Sequence, residues 1–419
     1  MSPLTLTENL FPLFALKKKD NVMPKTSSSG KASLVIAAVT VIATALFFSG
    51  APAHAFLEKF FKKNAAPQKT EELKYVINDD ASFDENKKTF HMRPYNNPAL
   101  EFDISIPKTW TSQELTNKDT PIVKDTDLIT DVAQFKSEMI GTSRVSVSVS
   151  FKTLDKEIYA KDWLKNYILT NGYALQDDVQ EKGGKYAQAY YTSVTDFTNY
   201  YTMISAQINS NYIILCRFDL PLNMKDYLSF AQKKIVESLQ ITNTKTDFIE
   251  IQKGYTIVDA LKFNYPITWQ PDSPDFKNMS RLSIGFLNHT QKKVGFRIID
   301  TTEGYMNFLT VRRSGDTNLK KELLNLKTHF SDMMGLDVTK LVLSQKPEIL
   351  SNRFIFARYE VYETEYKKGG PKSPEIRLVT LGDKDWYVFI YMVTPSAIDS
   401  FPTWAHNVKC FDIIIKSIR

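Results

Sequence analysis

The chain has 419 residues, 53 Lys+Arg against 47 Asp+Glu for a formal net charge of +6, and 43% hydrophobic residues. That is a globular composition long enough for two or three domains, which excludes the disordered and collagenous classes. Its 15 Gly are about half the usual share, which disfavours phosphate-cradling glycine loops, and two Cys exclude a disulfide-rich scaffold.

Residues 32–48 (ASLVIAAVTVIATALFF) carry no charge, follow Lys25 and Lys31, and lead through Gly50 and Pro52 to Ala53-His54-Ala55 before Phe56. A positive flank, an apolar stretch, helix breakers and an A-x-A site follow the order of a secretory signal peptide, so removal of residues 1–55 is predicted. Met23, followed by PKTSSSGK, is the alternative start. The 17 apolar residues fall short of the roughly 20 that span hydrocarbon, so membrane contact is expected only in transit. An inner-membrane anchor by an uncleaved N-terminus is the alternative. Cleavage removes five Lys and two acidic residues, leaving 48 basic against 45 acidic and a net charge of +3. That balance gives nucleic acid no concentrated basic face to bind. The expected location is periplasmic or secreted.

Residues 56–94 are poor in large apolar side chains and hold no sustained period of 2 or 3.6, which predicts a flexible lead-in. Beyond it the chain is written twice. Phe102-Asp-Ile-Ser-Ile-Pro107-Lys-Thr-Trp110 is matched by Leu261-Lys-Phe-Asn-Tyr-Pro266-Ile-Thr-Trp269, an apolar strand ending in Pro-x-x-Trp at an offset of 159. Residues 144–151 (RVSVSVSF) alternate as a half-buried strand does. A helix follows, which Asp155 or Asp162 would cap, with Trp163, Leu164, Tyr167 and Ile168 on its apolar side and a stop at Asn171-Gly172. Its counterpart spans 316–334, with Leu319, Leu323, Leu326 and Phe330 at helical spacing.

Each copy then predicts a hairpin, 200–208 with 212–220 and 375–381 with 386–393, ended by Pro221 and Pro395. The last helices carry apolar stripes, Met224 to Leu239 and Phe401 to Ile418. The growth in offset falls mostly in the loop 365–375. An antiparallel sheet with one helix from mid-copy and one from its end predicts an α+β protein of two tandem three-layer α/β/α sandwiches, 95–243 and 249–419.

The strand-Pro-x-x-Trp opening, mid-chain helix, long hairpin and terminal helix resemble the PsbP-like superfamily, with its DcrB-like envelope proteins. The motif that carries this is FDISIPKTW and its weaker copy LKFNYPITW. The resemblance implies a non-enzymatic binding or assembly factor, and no family residue transfers to a matched position.

The search for chemistry agrees. Of the five His (54, 91, 289, 329 and 406), none lies within 95–243, so the first copy holds no histidine triad by itself. Gly141-Thr-Ser143-Arg-Val145 lacks the second Gly of a nucleophile elbow. Cys216 is expected as a buried strand residue and Cys410 in the last helix, at non-equivalent places, so two unbridged thiols are predicted. Asp125-Thr-Asp127 and the acids near Asp79-Asp80 lack calcium-loop spacing, and no zinc spacing links the His, so neither a metal nor any other cofactor is expected.

Residues 95–243 hold 15 basic and 18 acidic residues, while 249–419 hold 24 and 19, so the copies have opposite sign. The second carries Lys292-Lys293, Arg312-Arg313, Lys320-Lys321 and Lys367-Lys368, with Arg353 and Arg358 on an aromatic strand 353–359. Solvated faces and mutual attraction of the domains account for much of this. Arg312, Arg313, Arg353 and Arg358 are the candidate contacts for an anionic patch, and Trp386, Trp404 and His406 the candidates for a pocket. Trp110 and Trp269 are expected as core pins. The expected function is an exported, non-catalytic, monomeric module that binds an envelope protein or an anionic envelope component. Two alternatives stand beside it: a hydrolase-type enzyme with a site at the domain junction built on His289 or His406, and a carrier of a small apolar ligand.

Overall fold

A computed structural model of the chain describes residues 77–419, apart from 117–121, 123–124, 141–143, 273, 279, 295–296, 316 and 369–372, and without the side chains of 275–278, 291–294 and 297–298. The predicted signal peptide, Met23, residues 56–76 of the lead-in, residues 141–143, Asp316 and the side chains of Lys292-Lys293 lie outside the described residues.

The first half runs α1 (Asp80–Asn86), β1 (Lys87–Met92), β2 (Phe102–Pro107), β3 (Thr111–Glu114), β4 (Thr130–Lys136), β5 (Ser146–Thr153) and α2 (Ala160–Thr170). It continues with β6 (Ala174–Leu175), β7 (Gln180–Lys182), β8 (Tyr186–Thr195), β9 (Thr198–Asn209), β10 (Tyr212–Pro221), α3 (Lys225–Glu237) and β11 (Gln240–Ile241). The second half runs β12 (Gln252–Ile257), β13 (Leu261–Pro266), β14 (Trp269–Pro271), β15 (Asp275–Asn278), β16 (Arg281–Val294), β17 (Arg297–Arg312) and α4 (Leu319–Asp332). Then come β18 (Leu336–Gln345), β19 (Phe356–Tyr366), β20 (Glu375–Gly382), β21 (Trp386–Thr394) and α5 (Phe401–Lys416).

Two antiparallel sheets organise these elements, in the orders β3-β4-β5-β10-β9-β8-β6 and β14-β16-β17-β21-β20-β19-β18. The predicted hairpins form at the centre of each, with Tyr212 paired to Asn209 and Gly382 to Tyr387. Both faces of each sheet are covered. In the first half Phe102, Ile104, Val147, Val149, Phe218, Ala231 and Ile235 pack on one face, and Leu164, Ile168, Ala189, Tyr191 and Leu215 on the other. In the second, Phe263, Trp269, Phe286, Phe308, Phe411 and Ile414 oppose Leu326, Phe330, Leu378 and Tyr391. The fold is therefore α+β with helices on both faces of antiparallel sheets.

The opening strands depart from expectation by leaving the main sheets. β2 pairs with β1 and β11, and β13 with β12, in small sheets that lie in the layer of the terminal helix. Phe102, Ile104 and Ile106 alternate inward from β2 against α3. The same bonds fasten both layers: Ser105 N–H donates to Ser238 Oγ at 2.9 Å, and Asn264 N–H to Ser417 Oγ at 2.8 Å. Where Gln240 pairs with Asp103, Arg419 N–H donates to the Lys262 carbonyl at 2.9 Å.

Residues 77–94 are also not a structureless lead-in. Asp79 caps α1 by accepting from Ser82 N–H at 2.7 Å, Phe83 is buried, and β1 closes the edge of β2. Neither Asp155 nor Asp162 caps α2: the N-cap is Tyr159, whose side chain makes no capping bond, and Asp162 is buried in the first turn. In the second half Asn318 caps α4 by accepting from Lys320 N–H. Cys216 and Cys410 are buried, unbridged thiols. Trp269 is fully buried, while Trp110 is half-buried against Phe218 at 5.6 Å between ring centres. Among the described residues no helix is long and apolar enough to cross a membrane.

Candidate functional site

Helix α5 is buried along nearly its whole length because it has two neighbours, the second-half sheet and the segment of the first half leading into α2. Pro402 in the first turn costs no helical hydrogen bond. His406 and Cys410 stand one turn apart on the same side, so both point at one place. Asn407, next to His406, anchors the helix start: its Nδ2 donates to the Glu303 carbonyl at 2.8 Å and to Thr394 Oγ1 at 3.0 Å, and its Oδ1 accepts from Asn288 Nδ2 at 2.8 Å. Glu303 is the extra residue of a bulge in β17, where the register shifts between Asn288 and His289.

A buried polar cluster lies where α5 meets the first half. Glu157 precedes α2, Glu250 precedes β12, and the two carboxylates exchange backbone bonds. Glu157 Oε1 accepts from Ile249 N–H at 2.6 Å and Glu250 N–H at 3.2 Å, and Glu250 Oε1 accepts from Glu157 N–H at 2.9 Å. Each carboxylate thus replaces the partner that a sheet or helix would give these buried amides. Glu250 Oε2 accepts from Thr268 Oγ1 at 2.5 Å. His406 Nδ1 lies 3.0 Å from the Glu157 carbonyl and 3.4 Å from Glu250 Oε1. Cys410 Sγ is 3.6 Å from Nδ1 and 3.7 Å from Nε2.

Burial dominates the electrostatics. It pushes the Glu157 carboxyl up, against the pull of the Glu250 and Ile249 N–H groups. It pushes His406 down, against the attraction of Glu250, so the imidazole is neutral. The Cys410 thiol is pushed well up by burial and by the Glu250 and Glu157 charges, the reverse of what an activated nucleophile needs. Lys409 is lowered and Asp412 raised, each mainly by burial. Tyr159 joins the halves again by donating to Asp412 Oδ2 at 2.6 Å, and Lys409 Nζ stands 4.1 Å over its ring.

On the outer side of α5 a cavity of about 390 Å³ is lined by Leu343, Pro347, Tyr359, Arg377, Phe411 and Asp412, among others. Arg377 is fixed by Glu375 at 2.6 Å and Tyr359 Oη at 2.5 Å. The cavity opens beside β18, the edge strand of the second sheet, where Leu341, Val342 and Leu343 are exposed.

No family model matches the chain, and no curated protein does. Solved structures do. Cyanobacterial PsbP (CyanoP) from Synechocystis sp. PCC 6803 is 12% identical, with a TM-score of 0.28, over 37% of this chain and 92% of that one. LpqN, involved in cell envelope biogenesis of Mycobacterium tuberculosis, is 11% identical, with a TM-score of 0.26, over 39% and 96%. A chain of the Tle4-Tli4 complex, 8% identical with a TM-score of 0.20, spans 80% of this chain and 97% of that one. Likenesses at this identity concern fold and carry nothing about function.

Within the two halves, the residues singled out from sequence do not converge. Arg312 lies over the Trp386 ring, and Trp386 is buried. Arg313 stacks on Tyr387 and donates to the Asp383 carbonyl. Arg353 precedes β19 instead of lying in it, and donates to Asp383 Oδ2 from Nε at 2.9 Å and Nη2 at 2.5 Å and to the Ala260 carbonyl at 2.7 Å. Arg358 pairs with Glu360 at 3.0 Å. Trp404 donates to Glu375 Oε1 at 3.2 Å beneath the Arg377 guanidinium. His289 is exposed and meets Thr302 Oγ1 at 3.4 Å. Of these residues only His406 enters the junction cluster. Glu157, Glu250 and Thr268 escaped the sequence reading, and Cys410 entered it only as an unbridged thiol of the last helix. The one signal available was His406-x-x-x-Cys410, a ligand-like spacing on a helix.

Proposed function

We propose that the chain is an exported, non-catalytic tandem module, a PsbP-like unit used twice, that binds another protein of the cell envelope. The observation that carries this reading is β18. An edge strand offers unpaired N–H and C=O groups, and soluble proteins guard such edges with bulges, charge or cover. In β18 two bulges and Lys340 lie along the strand, yet Leu341, Val342 and Leu343 remain exposed beside an open cavity. Backbone pairing with an extended segment of a partner, with one side chain seated in the cavity, uses both features. That chemistry favours a protein over an anionic polymer.

The absence of catalysis is part of the same proposal. His406 stands between the halves, where a hydrolase would place it, but its neighbouring thiol is fully buried and held protonated. Pull-down from an envelope extract with the mature protein is expected to recover a specific partner, and Val342→Lys is expected to release it without changing the circular dichroism. Recovery of nothing beyond background, or equal recovery by Val342→Lys, refutes the proposal.

A further inference from the structure

We infer that the groove between β8 and the end of α3, in the first half, binds a neutral, extended glycan chain. The strand pattern shows why this face is free. In β8 Ala187, Ala189 and Tyr191 are buried in the layer of α2, so Tyr186, Gln188, Tyr190 and Thr192 share the opposite face. The register sets Gln180 and Lys182 of β7 beside Gln188 and Tyr186, and Gln207 of β9 on the other side of Tyr186. A position covered by α3 carries an aliphatic side chain, as Met203 does where β9 pairs with Tyr190. From 186 to 192 the face of β8 carries none; its tyrosines, glutamine and threonine are half-buried.

The groove encloses about 550 Å³. Tyr186, Gln188 and Gln207 enter it from the sheet, and Glu237, Gln240 and Thr244 from the end of α3 and the chain beyond. Its side chains are held before any ligand arrives. Tyr186 Oη donates to Gln188 Oε1 at 2.6 Å, Gln188 Nε2 to Gln180 Oε1 at 2.8 Å, and Gln207 Nε2 to the Leu239 carbonyl at 2.9 Å. Each amide has two N–H donors and an oxygen with two lone pairs, so each keeps groups to offer after these bonds. Fixing them in advance lowers the ordering cost of binding.

The lining selects the ligand. Amides, a hydroxyl, a lysine and a carboxylate alternate donors with acceptors, which suits sugar hydroxyls that both donate and accept. Tyrosine adds a flat apolar ring with a polar tip, which suits the C–H face of a pyranose. Lys182 and Glu237 are the charged residues of the lining, and residues 95–243 hold 15 basic against 18 acidic, so an anionic polymer gains nothing here. A protein partner needs apolar anchors at the centre of its footprint, yet Leu239 is already buried and Ile241 half-buried in the core. An extended chain is favoured over a single sugar because Tyr186 and Tyr190 lie about 13 Å apart along one strand. Tyr190 then stacks on Tyr201 at 5.3 Å and 18°, which continues the aromatic line along the sheet.

The groove is also a feature of the repeat. Ser238 and Ser417 make the same bond to Ser105 and Asn264, which sets Glu237 opposite Lys416, and each of the latter two lines a cavity at the end of its helix. The second cavity adds Lys346 and Arg377, whereas the first replaces such charge with amides. The two halves therefore offer different chemistry at one position.

The test is calorimetric titration of the whole protein with cellohexaose and with chitohexaose, two neutral β-linked hexasaccharides, in low and in high salt. One site per chain is expected for one or both sugars, with an affinity that salt leaves unchanged. Tyr186→Leu, which keeps apolar bulk and loses the flat ring and hydroxyl, is expected to weaken binding about tenfold, and Gln240→Ala, at an exposed position, about threefold. Val342→Lys on β18 is expected to leave it unchanged, which separates this site from the protein-binding edge. Binding of neither sugar, binding lost in high salt, binding lost in Val342→Lys, or wild-type affinity in both Tyr186→Leu and Gln240→Ala overturns the inference.

Discussion

Replacing Gly304 with alanine sets a methyl carbon 2.6 Å from Asn407 Nδ2 and 2.9 Å from Trp269 Cη2. Both neighbours are fully buried, so neither has a solvent-side rotamer to retreat to. The backbone itself accepts the change, because Gly304 is not among the residues at positive φ. The cost is steric: overpacking of about 1–3 kcal/mol. Displacing Asn407 adds the weakening of its three bonds, to the Glu303 carbonyl, Thr394 and Asn288, each worth about 1 kcal/mol net. The stiffer unfolded chain returns about 0.4–1 kcal/mol. Gly304→Ala should therefore lose about 2–4 kcal/mol, read as a lower urea midpoint at unchanged m value. Gly315→Ala is the control, since its added carbon meets nothing within 4 Å and its φ is not positive. It should be neutral or slightly stabilising. A Gly304→Ala protein within about 0.5 kcal/mol of wild type would refute the packing argument.

Two further substitutions test the electrostatics. Burial raises Asp162 to about 6, so its contribution to stability is fully present below the unfolded value of about 4 and is lost as pH rises through 6. Asp162→Asn should gain about 1–2 kcal/mol on wild type between pH 4 and pH 8, and parallel pH–stability curves would contradict this. At Asp383 burial pushes the carboxyl up, but Arg353 and the Trp386 and Asp385 N–H groups outweigh it and hold it below the usual range. That stabilisation is present above the unfolded pKa and is lost as pH falls through the folded one. Arg353→Ala should cost about 2–3 kcal/mol at neutral pH and less in acid, where a pH-independent penalty would argue against the pair.

Sequence patterns identified the elements whose periodicity is set by one buried face. Residues 144–151 alternate because Val145, Val147 and Val149 enter the core on one face while Ser146 and Ser148 on the other are only half-buried, and the paired hairpins follow from strands of similar length joined by short polar turns. β1 was not legible. Its KKTFHM shows inward-facing Phe90 and Met92 among charged and polar residues, and two half-buried side chains give no period to detect. The capping of α2 was misread because Asp162 looks like a cap by composition, whereas the position of the first turn is fixed by Tyr159 packing between the halves. The candidate site was hidden for a different reason. Its residues come from positions 157, 250, 268, 406 and 410, and no local spacing joins the first three to the last two.

Why only one half carries the cluster follows from what each terminal helix faces. The turn of α3 equivalent to His406 and Cys410 holds Tyr227 and Ala231, with Tyr227 exposed to solvent. Helix α5 instead has the first half against that turn, with Tyr159 bonded to Asp412, Lys156 paired to Glu303 at 3.5 Å and Glu157 bonded to the linker. Once that turn was covered, its polar groups had to be satisfied from the neighbouring half, because a buried donor or acceptor without a partner costs about 1–3 kcal/mol. The junction is therefore specific in a way that an apolar contact is not: removing the Glu157 carboxylate orphans the Ile249 and Glu250 amides, and removing that of Glu250 orphans the Glu157 amide and the Thr268 hydroxyl.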